Sequence, residues 1–222
     1  MLTPFYMLYY GILIVASTLS YIAFKKGDNK SIYILILLVV TFLFEILTQV
    51  LSKNQIKGFT YIYDIFNAVE YALFCLYYLN ACKIKGIRIW AKISIMLFSI
   101  FSLCVAYLIY GFGNHYRELV SLNINIEGVL LFIIYTHLLF SIDNNITIPI
   151  YKHPDFWIAV GVLTFYGGVF VLFVLYPILT HIDTITASIE YGFIMEPLNL
   201  FIYFCIILGM LCLLRNKKYL IQ

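Results

Sequence analysis

Charge is what this chain has least of. Only 11% of its residues are Asp, Glu, Lys or Arg, against about 25% in an ordinary soluble domain. With 64% hydrophobic residues and a mean hydropathy of +0.97, the sequence excludes a soluble fold. Polar stretches between the apolar runs are too short for a second domain, so residues 1–222 read as one membrane domain. A disulfide framework is missing too: Cys75, Cys82, Cys104, Cys205 and Cys212 all fall in or at the ends of apolar stretches and read as small packing residues. No basic n-region precedes the first apolar run, so no removable signal peptide is expected. The net charge of +3 comes from residues in short loops beside apolar segments. It forms no basic stripe, and no nucleic-acid partner is expected.

What remains is a series of apolar segments of spanning length. Seven are predicted, at about 4–24, 32–51, 59–81, 93–112, 119–140, 156–179 and 193–214, which makes the fold all-α: a polytopic bundle of seven transmembrane helices. Basic residues fix its orientation, because cytoplasmic loops retain Lys and Arg. Lys25, Lys26, Lys30, Lys83, Lys85, Arg88, Lys92, Lys152, Arg215, Lys217 and Lys218 fall on one side, and only Lys53, Lys57 and Arg117 on the other. The N-terminus is therefore expected outside and the C-terminus in the cytoplasm. Tyr9, Tyr10, Tyr61, Trp90, Tyr110 and Trp157, near segment ends, suit an interfacial aromatic belt. Pro177 and Pro197 are expected to mark kinks or helix ends, and Gly161, Thr164 and Gly168 a small face for close helix packing.

Ionisable groups at membrane depth cost about 2.5–3.5 kcal/mol each on insertion scales, which makes them the strongest functional pointers in the chain. The second segment carries Glu45, the third Asp64, Asn67 and Glu70, the fifth Asn123, Asn125 and Glu127, and the seventh Glu196 and Asn199. At about 1.5 Å per residue, Asp64 lies about 8 Å below the outer end, Glu45 and Glu196 about 9 Å, Glu127 about 12 Å and Glu70 about 16 Å. The spacings Asn67/Glu70, Asn123/Glu127 and Glu196/Asn199 each put two polar groups on one helix face. Glu45, Asp64, Asn67, Glu70, Asn123, Glu127, Glu196 and Asn199 are thus the candidate ligand-binding residues of an outward-facing acidic cavity. The plainer alternative is that these carboxyls are protonated and merely hydrogen-bond the helices together.

Chemistry beyond binding finds no support in the sequence. His115, His137, His153 and His181 fall at different depths and sides, so no haem or zinc centre is expected. No His-Glu-x-x-His, Gly-x-Ser-x-Gly or Gly-rich phosphate loop occurs, so no catalytic residue, metal or cofactor is assigned. Tyr63-Asp64 is similar to the Tyr-Asp pair of intramembrane aspartyl proteases, but the partner Gly-x-Gly-Asp is absent. The Asn145-Ile146-Thr147 sequon falls on the cytoplasmic side, where it has no meaning.

Asn67-Ala68-Val69-Glu70-Tyr71, and Pro154-Asp155-Phe156-Trp157 leading into Tyr166-Gly167-Gly168, resemble uncharacterised small bacterial seven-helix membrane proteins. More distantly they resemble the seven-helix sensory modules fused to histidine kinases. That resemblance implies a bacterial inner-membrane location and a sensing role, and it carries over no catalytic residue. Because the sequence ends soon after Arg215, any output would need a separate membrane or cytoplasmic signalling partner. The functional expectation is a receptor-like or sensor-like module for a small cationic or proton-linked ligand. A proton- or cation-coupled transporter and an accessory subunit of a larger membrane complex are the alternatives.

Overall fold

The computed structural model describes residues 4–54, 61–82, 84–112, 117–142, 149–182 and 184–215. Each predicted segment is a helix: α1 Pro4–Lys25, α2 Ser31–Lys53, α3 Tyr61–Ala81, α4 Lys85–Phe112, α5 Arg117–Ser141, α6 Pro154–Ile182 and α7 Thr184–Arg215, with a 3-10 turn at Ile150–Lys152 before α6. No strand occurs among the described residues. Lys57, Lys83, His115, the sequon at Asn145, Lys217 and Lys218 lie outside them.

Helix ends differ from the hydropathic ends where polar residues continue a helix. α4 begins at Lys85 rather than near 93, and α7 has 32 residues, about 48 Å at the α-helical rise, against a hydrocarbon core of about 30 Å. Hydropathy measures what lipid tolerates, whereas backbone hydrogen bonding carries the helix past that limit. For the same reason Pro177 and Pro197 lie within helices and end none. Between α1 and α2 the chain reverses at Gly27, whose φ of 102° is open to glycine at little cost. Asp28 N–H bonds to Ala23 O at 3.2 Å and Gly27 N–H to Phe24 O at 3.0 Å, the paired pattern of a Schellman C-cap.

Six of the seven helices are long and apolar enough to cross a membrane; α3 is the exception. Its sequence carries Asp64, Asn67, Glu70 and five tyrosines, of which Asp64, Asn67, Tyr71, Tyr77 and Tyr78 are buried, Tyr61 and Glu70 half-buried and Tyr63 exposed. Close packing runs α1–α2–α3–α5–α6–α7 and back to α1, with α4 laid against α3 and α5. Along Tyr71–Leu79 nearly every α3 side chain is buried. The bundle therefore buries a few polar groups within a largely apolar core and is apolar outside as well, where Met7, Leu43, Leu97, Phe140 and Phe193 are exposed.

Glycine sets the tightest contact. A Cβ at Gly161 would sit 2.8 Å from Cys205 Cβ, and one at Gly209 would sit 3.0 Å from Pro154 O, so α6 and α7 approach closely because these positions are bare. Gly168 also faces α7, through Leu198. Thr164 does not share that face and is exposed, so the expected small face reduces to the two glycines. All five cysteines are free. Trp90 and Tyr110 are exposed as the belt requires, but Tyr9 is only 4% exposed: it turns inward because it has a carboxyl partner there.

Candidate functional site

Alternation of the helices gathers the starts of α2 and α6 with the ends of α3 and α7, as contacts of Asp155 with Lys30 and Tyr77 and of Pro154 with Gly209 demonstrate. That end carries Lys25, Lys26, Lys30, Arg88, Lys92, Lys152 and Arg215 and is called the basic end here. Toward the opposite, far end, the described intramembrane acids and amides collect.

The centre of the far half is a set of carboxyls bridged by phenols. Tyr9, in the second turn of α1, donates to Glu45 Oε1 on α2 at 3.3 Å. Its ring meets Tyr203 of α7 edge-on at 5.6 Å between centroids. Tyr203 in turn is an electrostatic neighbour of Glu70 of α3 and of Glu45. Tyr166 of α6 donates to Glu127 Oε1 of α5 at 3.2 Å, and Glu70 is an electrostatic neighbour of the same side chain. Glu70 therefore lies within electrostatic reach of both Glu45 and Glu127, in a group reached from α1, α2, α3, α5, α6 and α7. Glu127 is 1% exposed, and Glu70 and Glu45 are half-buried.

One turn farther along α3 and α5 lies a second polar group. Asn123 Nδ2 donates to Asp64 Oδ1 at 2.6 Å and to Ser102 Oγ of α4 at 2.8 Å. The Ser102 hydroxyl donates to the Asp64 carbonyl at 2.6 Å. Asp64, Asn123 and Ser102 are fully buried and Asn67 nearly so. Buried polar atoms are normally paired, yet Asp64 Oδ2, Asn67 Nδ2 and Asn123 Oδ1 have no partner.

Of the eight residues singled out in the sequence, the structure brings six together in these two adjoining groups: Glu45, Glu70 and Glu127, and Asp64, Asn67 and Asn123. Glu196 is exposed, and Asn199 donates back to Met195 O of its own helix at 3.1 Å. Residues two apart on a helix do not share a face, which separates Asn125 from Asn123. Sequence reasoning missed Tyr9, Tyr166, Tyr203 and Ser102. Tyrosine is so common here, with 20 in the chain, that position alone gave no signal.

It also missed the basic end. Asp155, in the first turn of α6, accepts from Lys30 Nζ at 2.6 Å and from the Tyr77 hydroxyl, and His153 Nδ1 lies 3.6 Å from its other oxygen. Lys30 sits over the Tyr77 ring, 5.6 Å from its centroid. Asp28 accepts from the backbone N–H and hydroxyl of Ser31, holding the first turn of α2. Burial pushes the Asp28 carboxyl above its usual value despite those bonds and Lys30. Burial likewise holds His153 below the usual histidine value, against the pull of Asp155.

Between the two ends stands Phe74, 1% exposed. Its ring lies edge-on to Tyr166 at 6.2 Å and to Tyr135 at 5.9 Å. Tyr135 donates to Phe74 O at 3.0 Å and is an electrostatic neighbour of Tyr77 and Asp155. Hydroxyls and carboxyls thus run from Glu127 to Lys30 with one aromatic interruption. Among the described residues no cluster of His, Cys, Asp and Glu fit for a metal ion occurs.

Comparison with protein families, with curated proteins and with solved structures finds no match. Fold and site together define the class: an all-helical, membrane-type bundle with a carboxyl–phenol network in its interior.

Proposed function

We propose that this chain is a sensor-like or receptor-like membrane module that crosses the bilayer seven times, N-terminus outside and C-terminus in the cytoplasm, and takes a small cation or a proton into the carboxyl–phenol network from outside. One observation carries the reading: Glu45, Glu70 and Glu127 converge from three helices with no Lys or Arg among their described partners, whereas the acid at the basic end has Lys30. If only helix cohesion were needed, Ser, Thr or Asn would supply it at lower cost. The distribution of Lys and Arg supports the orientation. α3 can serve as a seventh span despite its composition, because Asp64 and Asn67 are buried against neighbouring helices and Glu70 is half-buried. The sequence resemblance supports a bacterial inner-membrane setting.

Methylammonium offers a direct test. It should raise the melting temperature of the detergent-purified chain in a saturable way, and less so as pH falls from 8 to 5, because protons compete for the same carboxyls. Glu70→Gln and Glu127→Gln should remain folded and lose the effect. Absence of stabilisation by methylammonium at every pH would leave the carboxyls as structural hydrogen-bonding groups.

Phe74 favours a second reading, a proton- or cation-coupled transporter. A single side chain separates the far network from the Tyr135–Tyr77–Asp155 series, as a barrier between two half-pathways would. Transport requires flux across sealed proteoliposomes; stabilisation without flux fits the sensor alone.

A further inference from the structure

Four polar atoms on α3 and α5 are buried without partners, Asp64 Oδ2, Asn67 Nδ2, Asn123 Oδ1 and Asn125 Oδ1, and the first three belong to the group around Asp64. Asp64 and Asn67 are three residues apart on one face of α3. Asn123 reaches them from α5 through its 2.6 Å bond to Asp64 Oδ1. That bond and the one to Ser102 use both amide hydrogens of Asn123, which fixes Nδ2 and leaves Oδ1 free. On Asp64 the unpartnered atom is Oδ2. Asn67 ends in an unpaired Nδ2, and a half-turn about its last side-chain bond presents oxygen instead. One carboxylate oxygen and two amide oxygens are thereby available at a place where Asp64 and Asn123 are fully buried. Ser102 braces the arrangement by holding both the Asp64 carbonyl and the Asn123 amide.

Such a group suits a charged occupant, since an ionised carboxylate held away from water is costly unless paired. The ion pairs found among the described residues lie at the basic end. A water molecule could satisfy the orphaned atoms but would leave the charge of Asp64 uncompensated. The oxygens suit a hard cation, and one carboxylate with two neutral amides balances a single charge, whereas divalent ions draw more carboxylates or keep several waters. We propose that Asp64, Asn67 and Asn123 bind a small monovalent cation of the sodium class between α3 and α5, with Ser102 as a positioning residue. This goes beyond the reading above: it is a second cation site, separate from the carboxyl–phenol network and one to two turns from Glu70 and Glu127 along α3 and α5.

Melting of the full chain in detergent, with NaCl replacing choline chloride at constant ionic strength, tests the assignment. Sodium should stabilise the chain saturably. Asp64→Asn should abolish the effect, and Asn67→Ala should weaken apparent affinity about tenfold, the ratio that corresponds to ~1.4 kcal/mol of lost ligation. Glu127→Gln should retain it. Should Asp64→Asn fail to fold, a sodium dependence in Asn67→Ala equal to that of the native chain would overturn the proposal. Stabilisation lost in Glu127→Gln but kept in Asp64→Asn would place the cation in the carboxyl–phenol network, sinking this assignment while sparing the broader reading. No difference between sodium and choline would overturn the sodium site, and methylammonium would still decide the broader reading separately.

Discussion

Tyr166 ties the α5 acid into the network, because its hydroxyl donates to Glu127 and Glu70 lies within electrostatic reach of the same side chain. Tyr166→Phe removes that donor while keeping the ring against Phe74, and should lower stability by about 1–3 kcal/mol, the cost of an unsatisfied buried partner. Detergent melting of the variant checks this. Glu70→Gln should elute as a monodisperse species on size exclusion, whereas Glu70→Lys, which brings an unmatched cation into the bundle, should aggregate. At the basic end, pH acts through two residues with opposite signs. His153 is held below its ordinary value of 6.5, so the folded state binds fewer protons than the unfolded chain. Its contribution is therefore lost as pH falls below 6.5, and His153→Gln should flatten that part of a melting-temperature profile. Asp28 is held above its ordinary 3.8, so its contribution is present below that pH and lost as pH rises through the raised value. Asp28→Asn keeps a side chain able to cap α2 and should raise the melting temperature at pH 7. Glu45, Glu70 and Glu127 were legible from sequence because a carboxyl in an apolar run stands out. Their phenolic partners were not, since a tyrosine buried against an acid and one facing lipid look alike in a one-dimensional pattern.

Among the elements, α3 and the α6–α7 pair carry the most consequence. α3 is less apolar than its six companions, and its spacing of Asp64, Asn67 and Glu70 was legible in sequence as one of several acid-bearing segments. Which helices would face it was not legible, because crossing partners depend on side-chain fit that periodicity does not encode. The close α6–α7 contact was partly readable from Gly161 and Gly168, but the contribution of Gly209 emerges only when α7 is laid beside Pro154. Gly161→Ala should destabilise by about 1–3 kcal/mol, as overpacking does, because the new Cβ meets Cys205 Cβ, an atom tied directly to the α7 backbone. Gly168→Ala should cost less, since the obstructing Leu198 methyls belong to a side chain that can rotate. Comparative melting of the two variants separates a tight backbone approach from a soft side-chain contact.

At the scale of the molecule, the two ends differ in kind. The basic end is closed by Lys30, Asp155 and Tyr77, joining the starts of α2 and α6 to the end of α3. Removing one member leaves the other charge uncompensated, at about 3–5 kcal/mol where the pair is buried. Lys30→Met should therefore destabilise strongly, and adding Asp155→Asn to it should restore much of the loss. The far half offers carboxyls instead, and the proposed orientation turns it outward. Residue position along seven apolar segments sufficed to place the acids at one end, whereas the closure at the other end joins residues 125 apart and has no local signature. The most direct test of the account is sidedness. In sealed, right-side-out vesicles, Glu70→Cys should react with a membrane-impermeant thiol reagent added outside, and Tyr77→Cys, beyond Phe74, should not. Reaction of Glu70→Cys only from the interior, or equal labelling of both variants from outside, would contradict an outward-facing acidic site.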